Sequence, residues 1–218
     1  MLETYARLKQ RQRDIRDSFP EGLNLRVHRA LSWLDRAARE DDLDSQFVFL
    51  WIAFNAAYAA EIDQRFALAE QETFNHFIKK INNLDEQQLL WNIVWDSYSN
   101  AIRNLLNNEY VFMPFWEYQR GNKSQEQWES DFANAKRSAN SALAYKNTSL
   151  VLSIVMSRIY VLRSQIVHGG ATWNSSVNRH QVRDCVAIMK SVVPAIIEIM
   201  MNSADAAWDQ ANFPPVRD

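Results

Sequence analysis

The sequence predicts an all-helical fold. Glycine (4) and proline (5) are scarce in 218 residues, leaving few turn formers for a β architecture that needs one every ten residues or so. Apolar residues recur every three or four positions through most of the chain. With 47% apolar and 23% charged residues, the composition is that of a folded globular protein. The length suits a single domain spanning residues 1–218 with a substantial core.

In chain order, residues 2–17 alternate charge and form a helix or arm with few apolar positions. After the breaker Pro20-Glu-Gly22, a helix over Leu25–Arg39 sets Val27, Leu31, Leu34 and Ala38 on one face. Asp44 or Ser45 is placed to cap a helix from Phe47 to about Gln64. Phe47 to Phe54 is apolar nearly all round, so this helix is expected to be the most buried. Phe74–Ile81 and Gln87–Leu106 read as two further helices, with Trp91 and Trp95 at helical spacing on core or dimer surface. The aromatic stretch Tyr110–Tyr118 breaks the pattern at Pro114 and runs into Gly121-Asn122. Gln125–Tyr145 is a polar helix with a weak apolar stripe, so residues 109–146 read as an insertion on the outside of the bundle. Thr148 or Ser149 caps a helix striped with Val151, Ile154, Val155, Ile159 and Leu162 that stops at Gly169-Gly170. The last helix starts at Asn178 and carries Val182, Val186, Met189, Val193, Ile197 and Met200, with Pro194 inside it as a kink. Residues 208–218 read as a loose tail.

Charge and cofactor signals narrow the chemistry. The net charge of −2 argues against nonspecific coating of nucleic acid. From Phe132 to Arg183, however, there is no Asp or Glu, where an even spread of acids would place about six. That stretch holds Lys136, Arg137, Lys146, Arg158, Arg163, Arg179 and Arg183, which reads either as chance or as a local positive field for a polyanion. The four histidines are scattered, and the single Cys185 builds neither a disulfide nor a zinc site, so no metal and no cofactor is expected. No P-loop or dinucleotide fingerprint is present. The first residues lack a signal-peptide pattern, and the longest apolar run, Phe47–Ala60, is too short for a bilayer. A cytoplasmic protein with no membrane partner is expected.

The remaining candidates are His, Arg and polar groups around Arg163 and His168. Five steps of about 100° leave the two side chains roughly 140° apart on an ideal helix. They meet either if the Gly-Gly stop lets the chain turn at His168, or if two copies pack across a two-fold axis. The pair also has a plain reading: His168 as a cation at the negative end of a helix, Arg163 as a surface charge. Functionally, histidine suits proton transfer at neutral pH, and the guanidinium fork pairs two phosphate oxygens. RNA supplies its own nucleophile in the 2′-hydroxyl.

The run Tyr160-Val-Leu-Arg-Ser-Gln-Ile-Val-His-Gly-Gly-Ala-Thr-Trp-Asn-Ser-Ser-Val-Asn-Arg179 resembles the end of bacterial HEPN-domain proteins of the Apea-like kind. Phe49–Tyr58 is similar to their early buried helix. The resemblance implies a HEPN-like up-and-down helical bundle, a homodimer with both Arg-x4-His segments in one cleft, and metal-independent endoribonuclease activity. It also implies a toxin or antiviral defence role, and with it an antitoxin partner. A non-catalytic HEPN module binding nucleotide or protein is the alternative, and a purely structural helical dimer a third reading. By position, Arg163 and His168 are the catalytic pair. The residue after the arginine is often Asn in this family; here it is Ser164, which still hydrogen-bonds. Asn55, in an otherwise apolar helix, is a supporting candidate that orients the site or touches substrate. Arg158, Trp173, Asn174 and Arg179 are candidate RNA contacts. Trp173 is expected more to anchor its loop on the core than to stack a base, and Arg158 and Arg179 read equally as solvated charges.

Overall fold

The computed structural model describes residues 1–58 and 70–208. Among them every regular element is helical, as the scarcity of turn formers predicts. The chain forms two compact units, Met1–Leu89 with Met189–Asp218, and Leu90–Ile188.

In the first unit, α1 spans Leu2–Ile15 and is a regular helix despite its charge, burying Leu8 and Gln12. A 3₁₀ turn over Arg16–Ser18 leads to Pro20, which sits at the N-cap of α2, Glu21–Ala38. Proline at a helix start costs no backbone hydrogen bond. The helix therefore begins before the Leu25 expected from sequence, and Gly22 lies buried inside its first turn. Leu23, Val27, Ala30, Leu31 and Leu34 form its buried face. The next helix, α3, spans Leu43–Tyr58. Its cap is Asp42, whose carboxylate accepts from the Ser45 amide at 2.9 Å, and not Asp44 or Ser45. The buried Gln46 side chain donates to the Ala37 and Glu40 carbonyls at 3.1 and 3.2 Å, satisfying the end of α2. A short loop thus joins α2 and α3 as packed neighbours.

Phe47, Leu50, Trp51, Phe54, Ala57 and Tyr58 of α3 are buried, whereas Val48, Phe49, Ile52 and Asn55 are only half-buried. The expected end of this helix, near Gln64, lies outside the described residues. Helix α4, Glu70–Asn83, adds Phe74, Phe77, Ile78 and Ile81 to the core, and the rings of Phe54, Tyr58 and Phe77 lie 4.8–6.3 Å apart. Arg26 is buried here and donates to the Ala57 carbonyl at 2.9 Å. Trp208, expected in the loose tail, is instead fixed: its indole N–H donates to the Ser203 carbonyl at 2.8 Å, with the Lys80 ammonium 4.2 Å from its ring centre. Residues 209–218 of that tail lie outside the described residues.

The last helix, α10, spans Arg179–Asn202 and continues through Pro194. From Met189 it belongs to the first unit, burying Val192, Val193, Ile196, Ile197 and Met200. Its Glu198 accepts from both guanidinium nitrogens of Arg7, at 2.8 and 2.7 Å, and lies 3.5 Å from Arg11.

The second unit begins with α5, Leu89–Asn92, a π-helical turn over Ile93–Ser97 and α6, Ser99–Leu106. The single helix expected over 87–106 is thus broken; the π turn ends at Tyr98, whose φ of −126° is not helical. Trp95, in the π turn, donates to the Thr148 hydroxyl at 2.9 Å. After a 3₁₀ turn at Glu109–Val111 comes α7, Met113–Gln119. Here Pro114 begins a helix where sequence suggested a break. Helix α8, Gln125–Ala144, opens with a reciprocal cap between Ser124 and Gln127 and exposes most of its length. It is held by aromatic rings: Trp128 lies 5.3 Å from Phe115 and 5.9 Å from Tyr118, and Phe132 lies 5.3 Å from Phe112. Helix α9, Thr148–Val167, is capped by the Asn147 side chain, which accepts from the Leu150 amide at 3.0 Å, rather than by Thr148 or Ser149. It buries Val151, Leu152, Val155, Met156, Ile159 and Leu162. Among the described residues, α9 is the one helix long and apolar enough to cross a membrane; here it packs against α6 and α8.

The Arg7 hydrogen bonds hold the Glu198 carboxyl below the usual carboxylate range. A carboxyl so lowered adds stability above its unfolded pKa and loses it as the pH falls through its folded value. Glu198→Gln is expected to cost about 1 kcal/mol at pH 7. In urea unfolding, the gap between variant and wild type should close as the pH is lowered into the acid range.

Candidate functional site

The site is built at the C-terminal end of α9. Val161 and Leu162 are buried, which fixes the rotation of the helix, and the turns beyond them emerge into solvent. His168 occupies the C-cap with φ −93° and ψ 13°. The chain reverses one residue later, at Gly169, whose φ of +71° is left-handed. The Gly169 amide donates to Ile166 at 3.2 Å and the Gly170 amide to Gln165 at 2.7 Å, closing the last carbonyls in a Schellman motif. His168 is thus the first residue past α9, with backbone angles that are no longer helical, and the reversal is completed at Gly169.

The consequence is visible in a cleft of about 400 Å³ lined by Met113, Trp116, Arg120, Val161, Ser164, Gln165, His168 and Gly170. Ser164, Gln165 and His168 share one side of α9. Arg163 is not in the lining; it is half-buried, with its guanidinium 5.8 Å from the Tyr160 ring centre. Within one chain the cleft thus takes His168 and Ser164 and leaves Arg163 out.

The facing wall is α7 with the 3₁₀ turn before it. The Tyr110 carbonyl accepts from two cleft residues at once, the Trp116 indole at 2.8 Å and the Gln165 amide at 2.7 Å. This shared acceptor ties α7 to α9. The exposed Arg120 guanidinium rests 4.0 Å from the Met113 sulfur. Its natural partner one turn back, Glu117, is engaged by Lys123 at 3.4 Å, and Lys123 is held in turn by Asp131 at 2.6 Å.

The other candidates do not line the cleft. Asn55 sits half-buried on α3, in the first unit. Arg158 is neither solvated nor placed for phosphate: it is 3% exposed, with its guanidinium 4.3 Å from the Phe112 ring centre and 5.8 Å from that of Phe132. Burial pulls it down to about 10, still charged at neutral pH. Among the described residues it has no ion-pair partner. Trp173 is 73% exposed and does not anchor its loop on the core. Asn174 takes a left-handed φ of +53°, which its short polar side chain tolerates, and accepts from Arg179 at 3.3 Å. Trp173 and Asn174 lie in the loop before α10, Arg179 is that helix's first residue, and none of the three lines the cleft.

Among the described residues, no group of three or more His, Cys, Asp or Glu side chains is arranged to hold a metal ion. Cys185 is fully buried, and burial together with Asp184 pushes its thiol far up, so it is no nucleophile at neutral pH. Met113, Trp116, Arg120 and Gln165 were not singled out from sequence. The usable signal was Pro114 as a helix starter and Gly121, with φ +76°, as a stop; together they bracket a short helix with Arg120 at its C-cap. No family model, no curated protein and no solved structure matches the chain.

The helix stop can be tested by Gly169→Ala. A Cβ there meets nothing within 4 Å, so the cost is conformational alone, about 1 kcal/mol. A loss above about 3 kcal/mol in chemical denaturation would contradict an open, purely conformational site. For Arg158, the Met variant keeps an apolar stem between the rings and removes a desolvated charge, so its melting temperature should hold or rise. Arg158→Ala should cost about 2 kcal/mol or more through the space it leaves. Equal losses in both variants would show that the charge itself is required for the packing.

Proposed function

We propose that the chain is a metal-independent endoribonuclease of the HEPN type, a cytoplasmic toxin or defence effector that acts as a homodimer. The observation that supports this reading is the exposed His168, held at a helix end on a cleft that also carries Ser164, Gln165 and Arg120.

In this reading His168 takes the proton from an RNA 2′-hydroxyl. The 2′-oxygen bonds to phosphorus, the bond from phosphorus to the 5′-oxygen breaks, and that oxygen leaves with a proton. The products are a 2′,3′-cyclic phosphate and a 5′-hydroxyl. One histidine supplies one proton-transfer group, and a second copy supplies the other. Charge growing on the phosphoryl oxygens calls for a guanidinium fork. Because Arg163 of the same chain lies outside the cleft, the second copy also delivers Arg163 across a two-fold axis. An antitoxin would act by covering the cleft. Ser164, Trp173, Asn174 and Arg179 would contact RNA; Asn55 and Arg158 would serve the packing that surrounds them.

The test is cleavage of RNA in EDTA. His168→Ala and Arg163→Ala should each lower the rate by about 10²–10⁴-fold at unchanged thermal stability. Undiminished cutting by both variants would sink the assignment. No cutting by wild type on any RNA, with normal host growth on overexpression, would favour a non-catalytic binding module.

A further inference from the structure

We infer that the cleft beside His168 is a subsite for one unpaired nucleotide, in which Arg120 holds the phosphate and Trp116 and Gln165 receive the base. The choice of RNA as the source of that nucleotide rests on the ribonuclease reading; the role of Arg120 rests on the cleft alone.

Three features carry the assignment. The first is charge. Arg120 points its guanidinium along the cleft wall, against Met113, and among the described residues it forms no ion pair. Glu117, about one helical turn before Arg120, pairs with Lys123, and Asp131 holds Lys123 in turn. A cation kept free in this way beside a histidine is suited to an oxyanion, and the planar fork can bind two phosphate oxygens together.

The second feature is shape. Trp116, Met113 and Val161 make a largely apolar wall, and a volume of about 400 Å³ falls in the usual range for small-ligand pockets. Base faces settle on such aromatic and apolar surfaces in single-stranded nucleic acid recognition.

The third is preorganisation. Trp116 and Gln165 are both anchored to the Tyr110 carbonyl, so neither has to be ordered when a ligand enters. That bond takes one of the two N–H donors of the Gln165 amide, which leaves the other N–H and the amide oxygen for the polar groups of a base edge. The protein would thus grip a phosphate in cis through Arg120, whatever a second copy adds.

The experiment is calorimetric titration of the full chain with the four nucleoside 3′-monophosphates, with adenosine and inorganic phosphate as controls. At least one nucleotide should bind more tightly than either control. Arg120→Ala should weaken that nucleotide at least tenfold, to the level of the bare nucleoside. Arg120→Lys should fall between, because charge is kept and the fork is lost. Trp116→Phe, which keeps a ring and removes the indole N–H, should weaken nucleotide and adenosine alike. Arg13→Ala, at an exposed arginine on α1 that does not line the cleft, should change nothing. Wild-type affinity in Arg120→Ala, equal affinity for inorganic phosphate and nucleotide, or no binding of any 3′-nucleotide would overturn the inference. RNA cleavage measured on the same proteins separates the two readings. Binding that needs Arg120 without any RNA cutting keeps the subsite and removes the nuclease. Cutting that needs His168 with affinity indifferent to Arg120 does the reverse.

Discussion

The left-handed backbone of Gly169 ends α9 and leaves His168 at the C-cap, where φ −93° and ψ 13° are no longer helical. The site is built on this helix end: the cleft receives Ser164, Gln165 and His168, and Arg163, five positions before His168, stays outside its lining. The stop is well satisfied, with both glycine amides bonded back into the last turn. A shared, dimeric site is thus the arrangement by which this Arg-x4-His segment can act as a unit, and it is part of the proposal rather than of the single chain's geometry.

The cleft's second wall depends on how α7 and α8 are attached. Helix α8 is too polar to be held by an apolar stripe, and the rings of Phe112, Phe115, Tyr118, Trp128 and Phe132 hold it instead. Arg158 reaches into this group from α9 and lies against Phe112 and Phe132. Its charge is costly to bury, and cation–π contact offsets part of that cost. The same packing brings Trp116 and Arg120 opposite α9, where the Tyr110 carbonyl ties the two walls together.

Much of the helical framework was legible in the sequence, because periodic apolar spacing reports burial directly. The stripe of α9 and its Gly-Gly stop were readable for that reason, as was the polar character of α8. The caps Asp42 and Asn147 lie one to three positions before the residues that periodicity suggests, since a cap lies outside the helix whose pattern announces it. The break at Tyr98 left no Pro or Gly to mark it. At the site, His168 and Ser164 could be found from a local segment. Arg120 and Trp116 could not, since their place beside α9 follows from contacts about fifty residues away in sequence. Arg158 and Trp173 failed for a related reason: an arginine can be buried when distant rings cover it, and a tryptophan can stay exposed when its loop finds no wall. Periodicity carries neither fact.

The sharpest test of a shared site is subunit mixing. Wild-type chain is co-expressed with an increasing excess of a chain carrying both Arg163→Ala and His168→Ala, and RNA cleavage is measured per wild-type chain. A site that takes residues from two copies predicts that this specific activity falls toward zero as mixed dimers replace wild-type ones. Specific activity that stays constant across the whole range, with mixed dimers demonstrably formed, would show that each chain carries its own complete site and would contradict the account.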